Sequence, residues 1–397
     1  MNFPSTRAFM EHLTAWRIPG NTITVFYRGK EIFSFSSGYA DLEGGHLMQG
    51  SELFNIYSCT KVATVTAALQ LLEKGLFTLE TPLYDIFPAF RHMLVRNEDG
   101  TLREAKAPIT LWNLFTMTAG FAYDWNGSAV ARARTQTNGE APLSSVVNAL
   151  AEEPLYFEPS SRWAYSLCHD VLGGVIETVS GESLGKYMKN HVFLPIGALS
   201  PTFIATPETE EKTAAQYRFA PQEEKSGADL VADQQVTPDG DGEWVNVGKA
   251  CAMPFGSAYE SGGSGIISSV FDMALLADAL ANGGLAHNGI RILAPETVTL
   301  LHQNQLSDAL LPSFNWAHLR GYGYGLGVRT MMDAEKSGSG GSIGEFGWGG
   351  AAGATLLAAP ETGLSYFYAH HMLNPQEAYY QPRLRDAVYE DFKANFG

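Results

Sequence analysis

Ser58-Cys59-Thr60-Lys61-Val62-Ala63-Thr64-Val65 opens a helical pattern that runs to Lys74. Val62, Val65, Leu69 and Leu72 recur at helical spacing as its apolar stripe, and Gly75 is the stop signal. Ser58 and Lys61 are three residues apart and therefore share a helix face. A serine at a helix N-terminus sits beside unpaired backbone N–H groups and the positive end of the helix dipole, a setting that favours a developing oxyanion. A partly desolvated Lys61 gives up its proton more readily and can act as general base for Ser58. The same spacing recurs at Ser183-Leu184-Gly185-Lys186, after Gly181, where both residues read as ordinary solvated ones. Spacing alone therefore leaves open a capping serine and a surface lysine at 58 and 61.

The 397-residue chain is 45% hydrophobic, 12% aromatic and only 17% charged, which suits a compact protein with an aromatic-lined cleft. A net charge of −16 and the absence of a Lys/Arg-rich block argue against nucleic acid or an anionic membrane surface as partner. Cys59, Cys168 and Cys251 are odd in number and widely spaced, so neither a disulfide framework nor a zinc pair is expected. Met1 to Glu11 lacks a basic start followed by an apolar core, and no apolar run is long enough to span a bilayer. A cytoplasmic location is expected.

Outward from Ser58, a helix is predicted over Ser5 to Trp16. Strands are predicted at Thr22 to Tyr27 and Glu31 to Ser36, joined by a hairpin at Arg28-Gly29-Lys30. Between about 80 and 260 the patterns are helical: Ile109 to Thr118, Leu143 to Glu152, His169 to Val179 and Leu184 to Val192, with few convincing strands. The acidic stretch near 221–247 reads as a surface insertion, with Pro238-Asp239-Gly240-Asp241-Gly242 as a turn. A helix follows near Val270 to Ala281. Strand candidates lie at Ile343 to Trp348, Ala354 to Ala358 and Leu364 to His370, and a last helix at Arg383 to Asn395. The ends of the chain are α/β and the middle is helical.

Two further segments carry chemistry. Tyr165-Ser166-Leu167 lies in a loop before a helix, where a phenol near a lysine can shuttle protons to a leaving group; a partly buried, bonded tyrosine is the plainer alternative. Trp348-Gly349-Gly350-Ala351 puts two glycines on a strand, which implies close approach to its backbone. Tyr123, Trp125 and Tyr322 are candidate cleft aromatics. His370-His371 lacks metal-ligand spacing, and one buried and one exposed ring are expected there.

Taken in order, Ser58-x-x-Lys61, Tyr165 and Trp348-Gly349-Gly350 resemble the three motifs of the serine β-lactamase and penicillin-binding superfamily. The similarity is greatest to its class C β-lactamase-like branch and the family VIII carboxylesterases, whose third motif is also Trp-Gly-Gly. The resemblance implies an α/β sandwich, with an antiparallel sheet flanked by helices, formed by 1–80 and 261–397. It also implies an inserted, mostly helical domain over 81–260. Ser58 would be acylated, Lys61 would be its base and Tyr165 would assist. Backbone N–H groups of Ser58 and Ala351 would form the oxyanion hole, with Tyr123, Leu167, Trp348, Gly349 and Gly350 at the substrate. No metal or cofactor is implied.

Two departures bear on the substrate. Leu167 stands where the second motif usually ends in Asn, and the neutral Trp348 stands where penicillin-recognising members commonly carry a cation. Both point to small neutral carboxylic esters. A carboxylate-bearing substrate would need another cation, such as Arg329 or Lys336. A peptidase or amide hydrolase, a β-lactamase or an acyltransferase shares the acylation half-reaction and stays open, as do the oligomeric state and a silent binding protein on this scaffold. An α/β-hydrolase reading of Gly340-Gly341-Ser342-Ile343-Gly344 lacks the strand before and the helix after that its elbow requires.

Overall fold

The computed structural model describes residues 1–124, 126–221, 242–251 and 256–397. Trp125 and most of the acidic insertion lie outside the described residues.

Helix α1 (Pro4–Trp16) starts on a proline, whose fixed φ suits the first helical turn, and buries Thr6, Met10 and Leu13. Strands β1 (Gly20–Tyr27) and β2 (Lys30–Asp41) follow. Arg28 and Gly29 turn between them, both at positive φ (49° and 81°), the geometry that matches strand twist in a two-residue hairpin. Their pairing runs on to Gly20 opposite Gly38, beyond the predicted ends. After the short β3 (His46–Leu47) the chain leaves the sheet. It returns as β4 (Tyr322–Tyr324), β5 (Arg329–Met331), β6 (Phe346–Gly349), β7 (Thr355–Ala359) and β8 (Leu364–His370). The eight strands lie in the order β4-β5-β6-β7-β8-β1-β2-β3, every neighbour antiparallel.

Both faces of the sheet centre are covered. Along β8, Leu364, Tyr366 and Tyr368 pack with Met10 and Leu13 of α1, while the alternate residues Phe367 and Ala369 join a larger core on the other face. Strand β7 divides in the same way, Leu357 to one side and Leu356 to the other. This two-sided burial is why these strands read as continuous apolar runs rather than alternating ones. The larger core holds α2 (Thr60–Glu73), α3 (Cys168–Ser180) and α4 (Val270–Ala281). Helix α2 is buried from Thr60 to Leu71, not along one stripe only, and Gly75 stops it at φ 70°. Among the described helices none is long and apolar enough to cross a membrane, and among the described residues no cysteine is joined in a disulfide.

Several sequence expectations need correction. The middle of the chain does contain strands. Leu94–Arg96 pairs with Leu102–Glu104, and Gln216–Pro221 pairs with Gly242–Gly248 and, in parallel, with Met372–Leu373. The end of the expected surface excursion is thus a strand, paired with the segment that leads into the excursion. The helix predicted over Ile109 to Thr118 is only Leu111–Phe115. Helix α5 (Glu377–Phe396) begins six residues before Arg383 and runs through Pro382, which in sequence reads as a boundary. His370 and His371 are both buried. His370 ends the central strand β8 and His371 follows it; His371 Nε2 meets the Tyr39 carbonyl at 2.9 Å and His370 Nδ1 meets the Tyr368 hydroxyl at 3.1 Å.

Candidate active site

Just before the nucleophile candidate the backbone is strained. Tyr57 is a non-glycine residue at φ 44°, its ring fully buried and its hydroxyl donating to Gln216 Oε1 at 2.5 Å. The chain then makes one 3-10 turn, Tyr57–Cys59, before α2 begins. Ser58 and Lys61 therefore straddle the joint between the two helical forms. Cys59 points away and donates from Sγ to the Trp348 carbonyl, 3.4 Å distant, tying this joint to β6.

Ser58 Oγ lies 3.2 Å from Lys61 Nζ and 2.7 Å from the Tyr165 hydroxyl. Lys61 has no exposed surface. Its Nζ donates to the Gly263 carbonyl at 2.7 Å and stands 4.6 Å from the centre of the Tyr165 ring. Burial pulls the Lys61 ammonium down to about 7, against the opposing pull of the Asp170 carboxylate. Burial pushes the Tyr165 phenol well above its usual range, so it stays a proton donor at neutral pH. Asp170, on α3, accepts from Ser261 Oγ at 2.6 Å, from the Tyr259 hydroxyl at 3.2 Å and from the Gly263 N–H at 3.3 Å. It thereby holds the loop whose Gly263 carbonyl positions Lys61.

The glycines of the third segment have steric causes. A Cβ on Gly349 would stand 2.6 Å from Glu377 Oε1, and one on Gly350 would stand 2.3 Å from the Ile56 carbonyl oxygen, two residues before Ser58. Gly350→Ala should therefore push β6 off the Ser58 turn. We expect a loss of at least tenfold in kcat and a lower melting temperature, read by steady-state kinetics and thermal unfolding. Gly75→Ala, also at a glycine but with no atom near its Cβ, should leave kcat unchanged despite its strained φ.

These groups open onto a cavity of about 360 Å³. Its lining includes Ser58, Tyr123, Tyr165, Trp348, Gly349, Gly350 and Ala351, all expected from sequence. Tyr165 stacks on Trp348 with ring centres 5.7 Å apart and planes at 11°. Leu167 is different. It is 1% exposed, packs in the core under α3 and does not line the cavity, because it caps that helix with its side chain turned inward. Tyr322 is likewise absent from the lining; its hydroxyl donates to Glu345 at 2.9 Å. Ser183 is an exposed helix cap accepting from the Lys186 N–H. Ser342 lies in a loop before β6, within 2.8 Å of the Tyr389 hydroxyl.

Sequence reading missed Trp316, His318, Glu377 and Gln381, and it left the cleft without a cation. Arg329 corrects that last expectation: it lines the cavity from β5, while Lys336 is exposed and paired with Asp333 at 2.9 Å. A signal existed, since Arg329 is a lone charge between Leu326-Gly327-Val328 and Thr330-Met331. Nothing local marks Glu377, which reaches the cavity only because α5 begins early. Burial pushes the Glu377 carboxyl up to about 7, opposed by Arg329. Burial first, and then Arg329 and Arg385, hold His318 down to about 4, leaving a neutral imidazole 3.7 Å from Glu377 Oε2.

A profile of the family described as beta-lactamase matches residues 6–390. The chain belongs to the beta-lactamase family. Among its family relatives it is 28% identical over 393 residues to "Esterase EstB" of Burkholderia gladioli, covering 96% of this chain and 93% of that one. It is 28% identical to "Lovastatin esterase" of Penicillium rubens over 78% of each chain. The beta-lactamase fold is also that of the solved structure "EstCE1, a hydrolase with promiscuous acyltransferase activity", with a TM-score of 0.78 over 97% of both chains at 24% identity.

Proposed function

We propose that this protein is a serine hydrolase that cleaves small carboxylic esters through an acyl-enzyme on Ser58. The observation that carries the proposal is the sharing of one buried hydroxyl, Ser58 Oγ, between a lysine whose ammonium is pulled down to about 7 and a tyrosine that stays protonated. Neutral Lys61 takes the Ser58 proton as Oγ attacks the ester carbonyl. The backbone N–H groups of Ser58 and Ala351 receive the oxyanion. The Lys61–Tyr165 pair returns the proton to the departing alkoxide as the C–O bond breaks. Water, deprotonated by the same pair, then releases the acid and restores Ser58. The aromatic wall of Tyr123, Tyr165, Trp316 and Trp348 suits an apolar chain on the ester. In this reading the site lies where segments 1–80 and 261–397 meet 81–260, the first supplying Ser58, Lys61 and Trp348 and the second Tyr123 and Tyr165.

The names of the esterase relatives support this reading. A panel of p-nitrophenyl esters of increasing acyl length, run beside nitrocefin and D-alanyl-p-nitroanilide, tests it. Ester turnover with a single fluorophosphonate adduct on Ser58 is expected. An intact protein that turns over no ester, or is labelled elsewhere, overturns the reading. Acyl transfer to an alcohol would use the same acyl-enzyme. It would appear in the panel as a transesterified product when an alcohol is added.

A further inference from the structure

Arg329 is 2% exposed, yet it faces the cavity. Among the described residues its Nε has no hydrogen-bond partner. Its neighbour Glu345 is already held by Arg385 at 2.9 Å and by the hydroxyls of Tyr322 and Tyr389. A guanidinium does not lose its charge, so burying one without a hydrogen-bonded anion is costly. The register explains how it reaches the site: Arg329 on β5 stands opposite Gly347 on β6, where no side chain intervenes. The one carboxylate beside it in the cavity wall is Glu377, which is engaged by Gln381 Nε2 at 3.3 Å and by His318 at 3.7 Å. Burial pushes Glu377 up to about 7, so it can take a proton and leave the guanidinium to an entering anion.

The position is apt for one end of a substrate. Glu377 Oε1 lies against Gly349, the last residue of β6, and Ala351, the expected oxyanion donor, stands in the turn that follows directly and lines the same cavity. We infer that the Arg329 end of the cavity is a carboxylate subsite, and that the preferred ester carries a carboxylate at the far end of its acyl or alcohol chain. This rests on the ester-hydrolase reading and names its substrate class. A planar carboxylate matches the guanidinium fork in two parallel hydrogen bonds. Gln381 and neutral His318 stand in the same wall as additional hydrogen-bonding groups.

The test compares matched esters by pH-stat. Monoethyl adipate is set against ethyl hexanoate for a carboxylate on the acyl side, and 4-acetoxybutanoate against butyl acetate for one on the alcohol side. In the wild type the carboxylate member of at least one pair should lead in kcat/KM by roughly 10- to 100-fold, the scale of a charge-assisted hydrogen bond. Arg329→Met should collapse that ratio, and Arg329→Lys should keep part of it. Glu377→Gln, which removes the competing anion, should raise it. Opposite shifts from two neighbouring substitutions are not expected of a merely structural role. Should Arg329→Met fail to fold, the wild-type ratios and Glu377→Gln still decide. Neutral esters leading in both pairs, or a ratio unmoved by Glu377→Gln and by folded Arg329→Met, overturns the subsite. Neither result touches the Ser58 reading, which fails if no ester of any kind is hydrolysed, if the fluorophosphonate labels another residue or if Ser58→Ala stays active.

Discussion

Ser58→Ala is expected to leave a folded protein with ester turnover lowered roughly a million-fold, the scale seen when a serine nucleophile is removed. Among the described residues, Ser58 Oγ is the one hydroxyl hydrogen-bonded to both Lys61 Nζ and the Tyr165 hydroxyl, at 3.2 and 2.7 Å, so no other hydroxyl stands ready to replace it. The fold should survive, because Lys61 keeps its 2.7 Å bond to the Gly263 carbonyl and Tyr165 keeps its stacking on Trp348. Loss of the fluorophosphonate adduct, an unchanged circular dichroism spectrum and background ester hydrolysis would together be the expected result. Ser183→Ala is the matched control. Its hydroxyl caps a short surface helix, so activity should be unchanged. An active Ser58→Ala protein would end the assignment.

Lys61→Ala and Tyr165→Phe should each lower kcat by roughly 100- to 10,000-fold, the usual contribution of a general acid–base group. The pH profile distinguishes their roles. Burial places the Lys61 ammonium at about 7, so the fraction of free amine rises with pH through that value. Wild-type activity should therefore climb between about pH 6 and 8 and then level off. It should not fall again in the mildly alkaline range, because the Tyr165 phenol is held well above its usual value and keeps its proton. In Lys61→Ala the limb near 7 should vanish along with most of the rate. A near wild-type kcat, or a limb that persists in that variant, would take Lys61 out of the mechanism. Asp170 bears on the same limb. Asp170→Asn removes the carboxylate that favours charged Lys61, so the limb should move to lower pH.

How much of this was legible in the sequence depended on distance along the chain. The Ser58–Lys61 pairing needs only helix geometry, because residues three apart meet whatever the rest of the chain does. The glycines of Trp348-Gly349-Gly350 announced a close approach to the strand, though not that the Ile56 carbonyl and Glu377 are what approach. Alternation and apolar runs located α1, the β1–β2 hairpin and β8 to within a few residues, and motif order pointed to the antiparallel sheet that the structure has. Pro382 hid the start of α5, because a proline weakens any local case for helix even where packing carries the helix through.

By itself, then, the sequence determined the local items: which serine and lysine share a helical turn, and where backbone must come close to backbone. These follow from fixed rises and periods. Tertiary structure alone decided the rest. Tyr165 reaches Ser58 across 107 residues of chain. The Lys61 ammonium is pulled down to about 7 only because it is enclosed on all sides. Leu167 turns into the core, although its motif position put it at the substrate. Arg329, His318 and Glu377 come together from β5, the segment before β4 and the first turn of α5. Burial and electrostatic environment are properties of everything packed around a group, and no short window of sequence contains that shell.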